Sequence, residues 1–525
     1  MAWALLGLVV LTAAAIRLRL LDVPLDRDEG EYAYFGHLLL RGTPPYATAY
    51  NLKLPGVYGA YAAILWVFGQ SPAGVHSGLL VANAAATVLV FALATRTLNA
   101  TAGVAAAAAF AGLSLSPRLH GLGGYAEHFV LLPALTGALV LVSAVESRRL
   151  AGFLVSGVLL GLAFVVKQSG GAFVLFGALY TLLRHARPAA GGWRRRLAPT
   201  LVLLAGAALP YAALCLLLGW AGVFATFWFW TAVYAFQYGS ALPLADGITL
   251  FFMKAVELLA TSWALAVLAA AGVTALFWDA EARRRRDFVL LFALGSLAGT
   301  SAGLYFRNQY FLLLAPAVAL LAGVAADALA RRLAGAAPAR RPLLAATLVL
   351  LPLAHLVWAE RAILFETPPE RVARALFGLS AFPESVEIAR WVKARSAPTD
   401  RIAVIGSEPQ IYFYAGLPAA TGFIYTYALM EGQPHAARMQ RQMIDEIERA
   451  SPRFVVLVNA SASWNVRPGS DRTLFQWWER YQQNFERVGL ADIDDPLTTY
   501  VWGPEAAAYA PKSLVWVAIL QRKTR

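Results

Sequence analysis

Long apolar runs follow one another through residues 1 to 360, broken by short turns, and nothing else in the chain constrains its fold as tightly. A helix needs about 20 apolar residues to cross a hydrocarbon core about 30 Å thick. Eleven segments read as such spans: 1–21, 72–95, 101–116, 126–145, 150–166, 170–184, 198–219, 248–277, 288–304, 309–330 and 343–359. Composition agrees, with 59% hydrophobic and 14% charged residues against about 25% charged in soluble domains. A single water-soluble globule is excluded.

The charge is unevenly spread. Residues 1–360 hold 39 charged side chains and residues 361–525 hold 36, so a membrane part is followed by a part made for water. The expected architecture is an α-helical polytopic membrane domain over 1–360, then a small extracytoplasmic α/β domain over 361–525. In the latter, helical patterns alternate with the apolar strands RIAVIGS, RFVVLVN and SLVWVAILQR. Trp464, Trp477 and Trp478 are candidates there for contact with an acceptor glycan or for helix core. Gly406 follows a strand, but no GxGxxG does. Cys215 is the lone cysteine, so no intrachain disulfide forms. The first apolar run has no basic start and no evident cleavage site, and reads as a retained anchor.

Arginines fix the expected orientation. Arg96, Arg148, Arg149, Arg184, Arg187, Arg194 to Arg196, Arg283 to Arg286, Arg331, Arg332, Arg340 and Arg341 all fall on one side, which the positive-inside rule makes cytoplasmic. Arg17 and Arg19 pull the other way. The net charge of +13 is thereby accounted for by loops, and no basic face is left for nucleic acid. The protein is expected in the cell (inner) membrane, multi-pass, in contact with membrane lipids. Gly157 and Gly161, spaced by four, predict close helix packing.

The remaining ionisable residues gather on the outer side. LDRDEGEYAYFGHLLLRG opens with carboxylates and continues as an amphipathic, interfacial helix; residues 53–69 form a second interfacial or re-entrant one. Asp28 and Glu29 are either reactive carboxylates or caps of that first helix. Lys167 and Arg307 stand alone beside apolar stretches, where a cation snorkels or meets an anion. Together with Lys53 they outline a site that binds a phosphate and moves a proton. Glu127 beside His128 is the best candidate metal pair, though no HxxxH spacing is present and a divalent ion stays an open question.

At DRDEGEYAYFGHLLLRG followed by LKLPGVYGAY, the chain resembles integral-membrane glycosyltransferases of the GT-C class, among them the bacterial relatives of protein O-mannosyltransferases and the lipid A aminoarabinose transferases. The likeness continues through Lys53 and Pro55, Glu127, Lys167, then Arg307, Tyr310 and Pro316. It implies Asp28 as the catalytic carboxylate, with Glu29 beside it, and Lys53, Lys167 and Arg307 around the phosphate of a polyprenyl-linked sugar donor. Glu127, His128 and Tyr310 join them as substrate-binding candidates. Two positions depart from the pattern: Leu52, Lys53, Leu54 and Pro55 stand where a lysine between an acid and two prolines is common, and Gln168 follows Lys167 instead of glycine.

The expected activity is transfer of a sugar from a polyprenyl-phosphate-linked donor to a hydroxyl of a protein, lipid or glycan acceptor on the outer face. It would proceed by one inverting displacement with a first-loop carboxylate as base. A polytopic transporter or lipid flippase is the rival reading. It calls for polar groups in the middle of several spans and for matched halves, whereas here the polar groups crowd one face. A bare membrane anchor for the outer part leaves Lys167 and Arg307 without a purpose.

Overall fold

The computed structural model describes residues 1–185, 193–335, 337–495 and 497–523. Arg187 lies outside these, as do the side chains of Arg194 to Arg196. Three helices open the chain: α1 (Ala2–Leu18), α2 (Arg27–Leu40) and α3 (Gly56–Phe68). Every expected span coincides with a helix, but their lengths differ. Among the described residues, five helices are long and apolar enough to cross a membrane: Pro72–Thr97, Ala126–Ser147, Leu197–Trp220, Leu244–Trp278 and Pro338–Ala359. Gly171–His185 and Arg286–Thr300 have 15 residues each, about 23 Å at 1.5 Å per residue, and do not reach across the hydrocarbon unaided. The late span expected from 309 begins instead with a 3-10 turn, Asn308–Leu313; its helix is Ala315–Ala334, with Pro316 in the first turn where a missing N–H costs nothing.

Gly157 and Gly161 do bring two helices together. A Cβ on either would stand 2.0 Å from the Leu203 carbonyl oxygen or 2.2 Å from that of Ala207. Helices Leu150–Val166 and Trp193–Trp220 therefore touch backbone to backbone.

Ion pairs show which loops share an end. Glu146 joins Arg96 to Arg285, and Asp327 joins Arg331 to Arg341, with Arg331 also 2.7 Å from Asp279. The basic loops thus meet at one end of the bundle. Arg17 and Arg19 lie at the other, where their guanidiniums serve chain carbonyls: Arg17 donates to Ser114 (2.6 Å) and Gly121 (3.0 Å), Arg19 to Leu364 (3.0 Å) and Thr367. Their pull against the charge bias is explained by this structural use. Exposed Trp66, Trp220 and Trp358 project from helix C-terminal turns, as aromatic side chains do at a membrane–water boundary.

Beyond residue 361 the chain builds a five-stranded mixed sheet, β1 (Ile402–Ile405), β2 (Phe454–Asn459), β3 (Phe485–Ile493), β4 (Thr498–Trp502) and β5 (Val515–Arg522), in the order β1-β2-β5-β3-β4. Only β1 and β2 run parallel; the other pairs are antiparallel. Strands β1, β2 and β5 match the three expected. The β3–β4 hairpin was not expected, because ERVGLADIDDPLTTYVW mixes charge, Gly and Pro through its alternation. Trp464, Trp477 and Trp478 are core: each is under 10% exposed, and Trp477 donates to Glu448 at 2.7 Å. The glycan-contact reading of these three falls away.

One apolar cluster runs from Tyr34 and Phe35 of α2 and Tyr58 of α3 into Ile402, Ile411 and Tyr412 of the sheet part. Gly30 marks the closest approach. A Cβ there would lie 2.5 Å from the Gln410 Cβ and 2.7 Å from its backbone, so helix Gln410–Ala415 rests directly on α2. Arg27 completes the clamp, with Nη2 2.8 Å from Glu408 and Nη1 2.8 Å from the Tyr427 hydroxyl.

Candidate active site

The first turn of α2 sorts its acids into separate tasks. Asp26 is the N-cap: its side chain accepts the Glu29 N–H at 2.9 Å, and Glu29 accepts the Asp26 N–H at 3.3 Å, a reciprocal capping box. Glu29 also accepts from the Gly124 N–H at 2.6 Å and lies 3.1 Å from His76 Nε2. It is 3% exposed and faces away from the cavity described below. Capping therefore belongs to Asp26 and Glu29, the second of the two readings the sequence offers for Glu29, and here it organises the start of the helix. Asp28, one position away on a 100° helical step, points elsewhere.

Lys53 arrives on the turn before α3, where the Tyr46 hydroxyl donates to its carbonyl at 2.6 Å. Its ammonium sits 2.9 Å from Asp28 Oδ1 and 2.9 Å from Glu31 Oε2, and 4.5 Å from the Tyr32 ring centre. Glu31, wholly buried, accepts in addition from the Tyr58 hydroxyl at 3.0 Å. Burial alone would raise the Asp28 carboxyl; the Lys53 ammonium more than offsets it and holds that carboxyl at about 2, below its usual 3.8. Glu31 goes the other way, raised because its burial outweighs the same lysine. Asp28 Oδ1 also meets the Tyr425 hydroxyl at 3.5 Å, while Oδ2 has no hydrogen-bond partner among the described residues.

Lys167 ends helix Leu150–Val166 in an extended conformation. It does not snorkel: its ammonium pairs with Glu127, which is 1% exposed, and lies 4.1 Å from the Tyr310 ring centre. Gln168, in place of the common glycine, donates to the Leu52 carbonyl at 2.7 Å and so ties this turn to the one that carries Lys53. Arg307 differs from both lysines. Its guanidinium meets the Tyr238 hydroxyl at 3.4 Å, and no carboxylate among the described residues pairs with it.

These groups surround one cleft. Asp28, Lys53, Lys167, Arg307 and Tyr310 line it, and the sheet part closes it with Tyr425, Tyr427 and Glu431. Of the residues singled out in the sequence, Glu127 does not line the cleft but pairs with Lys167, which does. His128 is buried, its Nε2 without a partner, and it does not reach the cleft; the structure separates it from the substrate-binding set. Trp230, Tyr234 and Tyr238, on and beside the π-helical turn Phe229–Tyr234, line the cleft and carry no signal in the sequence beyond an aromatic-rich run. Glu431 carries none at all, since acids are ordinary in so charged a region.

No three His, Cys, Asp or Glu residues group together among the described residues. The position between Asp28 and Glu31 that an ion would take is held by the Lys53 ammonium.

Residues 55–213 match the family model for dolichyl-phosphate-mannose-protein mannosyltransferases. No curated protein matches the sequence. Among solved structures, the fold is similar to that of ArnT from Cupriavidus metallidurans bound to undecaprenyl phosphate, at 16% identity and a TM-score of 0.60, covering 98% of this chain and 97% of that one. It is similar to the archaeal oligosaccharyltransferase AglB from Archaeoglobus fulgidus, in complex with an inhibitory peptide and a dolichol-phosphate, at 12% identity and a TM-score of 0.53, covering 97% and 75%. The arabinofuranosyltransferase AftD from Mycobacteria follows at 15% identity and a TM-score of 0.51, covering 99% of this chain and 40% of that one. The fold is shared with these solved structures, as the resemblance in the sequence implied.

Proposed function

We propose that this protein transfers a sugar from a polyprenyl-phosphate-linked donor to the hydroxyl of a protein, lipid or glycan acceptor, at a cleft on the extracytoplasmic side of the cell membrane. The observation that carries the reading is the pairing of two unspent groups across one cleft: Asp28 with its Oδ2 free, and Arg307 with no carboxylate of its own. Arg307 takes the donor phosphate, and Lys53 and Lys167 add positive potential from ion pairs that also fix the walls. The neighbours bound to undecaprenyl phosphate and dolichol-phosphate support a lipid-phosphate donor. The basic loops put the far end of the bundle in the cytoplasm. Residues 361–525 then stand outside as the part that closes the cleft over the membrane part, 1–360.

The chemistry follows from the charges. The acceptor oxygen attacks the anomeric carbon as its bond to the phosphate oxygen breaks, inverting that centre. The polyprenyl phosphate leaves as an anion against Arg307, with no acid required. The acceptor proton passes to Asp28 Oδ2. A carboxyl held near 2 is too weak a base to deprotonate a resting hydroxyl, so it takes the proton as the new C–O bond makes that hydroxyl acidic. No step runs through a metal.

The test is turnover by purified protein in lipid nanodiscs, offered polyprenyl-phosphate sugars and, separately, nucleotide sugars. We expect transfer only from the lipid donors, and a loss of at least about 100-fold in Asp28→Asn with undecaprenyl phosphate binding kept. Turnover of a nucleotide sugar alone refutes the donor class, and full activity of Asp28→Asn removes the base.

A further inference from the structure

The reaction just derived leaves one buried acid of the cleft without a task. Glu431 follows the short helix Tyr427–Met430 and is 8% exposed. Its Oε2 accepts from the Tyr234 hydroxyl at 2.6 Å. Its Oε1 has no hydrogen bond among the described residues; the nearest charge is Arg467 Nη2, 4.0 Å away. Oε1 opens onto the cleft, where a ligand hydroxyl can supply the donor it lacks.

Its surroundings say which ligand. Tyr238, which lines the cleft, contacts Arg307 through its hydroxyl and stacks on Tyr305 with ring centres 4.5 Å apart. Trp230 packs edge-on against Tyr234, which holds Glu431. The acid and these rings therefore adjoin the cation assigned to the donor phosphate. The group bonded to that phosphate is the sugar, whose C–H faces pack on aromatic rings while its hydroxyls donate to acceptors. Arg467, 4.0 Å from Oε1, already balances the acid, so a neutral ring suits the place better than an ammonium-bearing one.

We infer that Glu431 is a specificity-determining residue for the donor, its Oε1 accepting a hydrogen bond from a ring hydroxyl of a neutral sugar. The inference rests on the lipid-phosphate-sugar reading above. It gives the sheet part a role in choosing the donor as well as in closing the cleft.

The experiment is equilibrium binding to the full chain in nanodiscs, so that chemistry plays no part. Probes are undecaprenyl phosphate without sugar and its glucose, mannose, galactose and 4-amino-4-deoxyarabinose derivatives. Wild type is expected to bind one neutral-sugar lipid tightest. Glu431→Ala should weaken that lipid by at least about tenfold, one hydrogen bond's worth, and leave undecaprenyl phosphate unchanged, which also shows that the variant is folded. Glu431→Gln, which keeps an acceptor oxygen, should recover part of the loss. Arg307→Gln should weaken all the lipids alike. Equal weakening of sugar-bearing and sugar-free lipids by Glu431→Ala, no weakening of either, or a wild-type preference for the amino sugar overturns the inference. Failure of wild type to bind any of the lipids instead overturns the donor reading on which it stands.

Discussion

Removing the Lys53 ammonium is the sharpest probe of the cleft, because a single group sets the state of two carboxylates. In Lys53→Met, Asp28 Oδ1 and Glu31 Oε2 each lose a partner at 2.9 Å. Glu31 is left wholly buried with the Tyr58 hydroxyl as its one donor. Asp28 is held at about 2 where 3.8 is usual; at about 1.4 kcal/mol per pKa unit, its surroundings, net of burial, favour the ionised form by about 2.5 kcal/mol. The sign is that of a depressed carboxyl. Wild type keeps Asp28 ionised, and so able to accept a proton, until the pH falls toward 2. Without the ammonium, burial is opposed only by the weaker pull of Arg307 and Lys167, and the Asp28 carboxyl rises. The assay is kcat/KM against pH, from 4 to 9, for wild type, Lys53→Met and Lys53→Arg. Wild type and Lys53→Arg should be flat on the acid side, and Lys53→Met should lose activity at a higher pH than wild type does as the pH falls. Breaking so buried a pair should also cost about 3 to 5 kcal/mol of stability, read as a lower melting temperature. An acid limb in Lys53→Met that coincides with wild type, with melting unchanged, would refute the electrostatic account of Asp28.

Three further outcomes can be checked without knowing the sugar. Gly30→Ala should destabilise by about 1 to 3 kcal/mol, since its Cβ meets the Gln410 backbone at 2.7 Å; Gly59→Ala, with nothing within 4 Å, should be neutral in the same thermal melt. Arg27→Met should cost about 3 to 5 kcal/mol by stranding the wholly buried Glu408 carboxylate, and Arg27→Met with Glu408→Gln should recover part of it. Extensive chelation with EDTA should leave transfer rates unchanged; a loss that manganese or magnesium restores would refute the metal-free cleft.

What the sequence disclosed depended on contrast. Asp28, Lys53, Lys167 and Arg307 stood out because charge is rare between apolar runs, and the structure brings all four to one cleft. Their partners were not legible. Glu127 read as a metal or substrate ligand until its distance to Lys167 was known, and Glu29 read as reactive when a cap three residues from Asp26 is what it forms. Spans were visible from hydropathy, but Arg17 could not be told from an orientation signal before the Ser114 and Gly121 carbonyls it serves came into view. In the last 165 residues contrast fails. Glu431 is one acid among many, Trp477 and Trp478 look alike whether in or out, and the β3–β4 hairpin hides behind Asp494, Asp495 and Pro496.

The contact at Gly30 has a consequence for recombination between relatives. A chimera joined near residue 361 would cut where composition changes, yet the interlock between the two parts is written far upstream, in Arg27 and Gly30, and answered at Glu408 and Gln410. A foreign tail would need its own counterpart of that four-residue handshake, or the helix bearing Asp28 would be seated on a stranger's backbone. Transplants that carry both halves of the interlock should inherit activity, and those that carry one should express as membrane protein and stay silent.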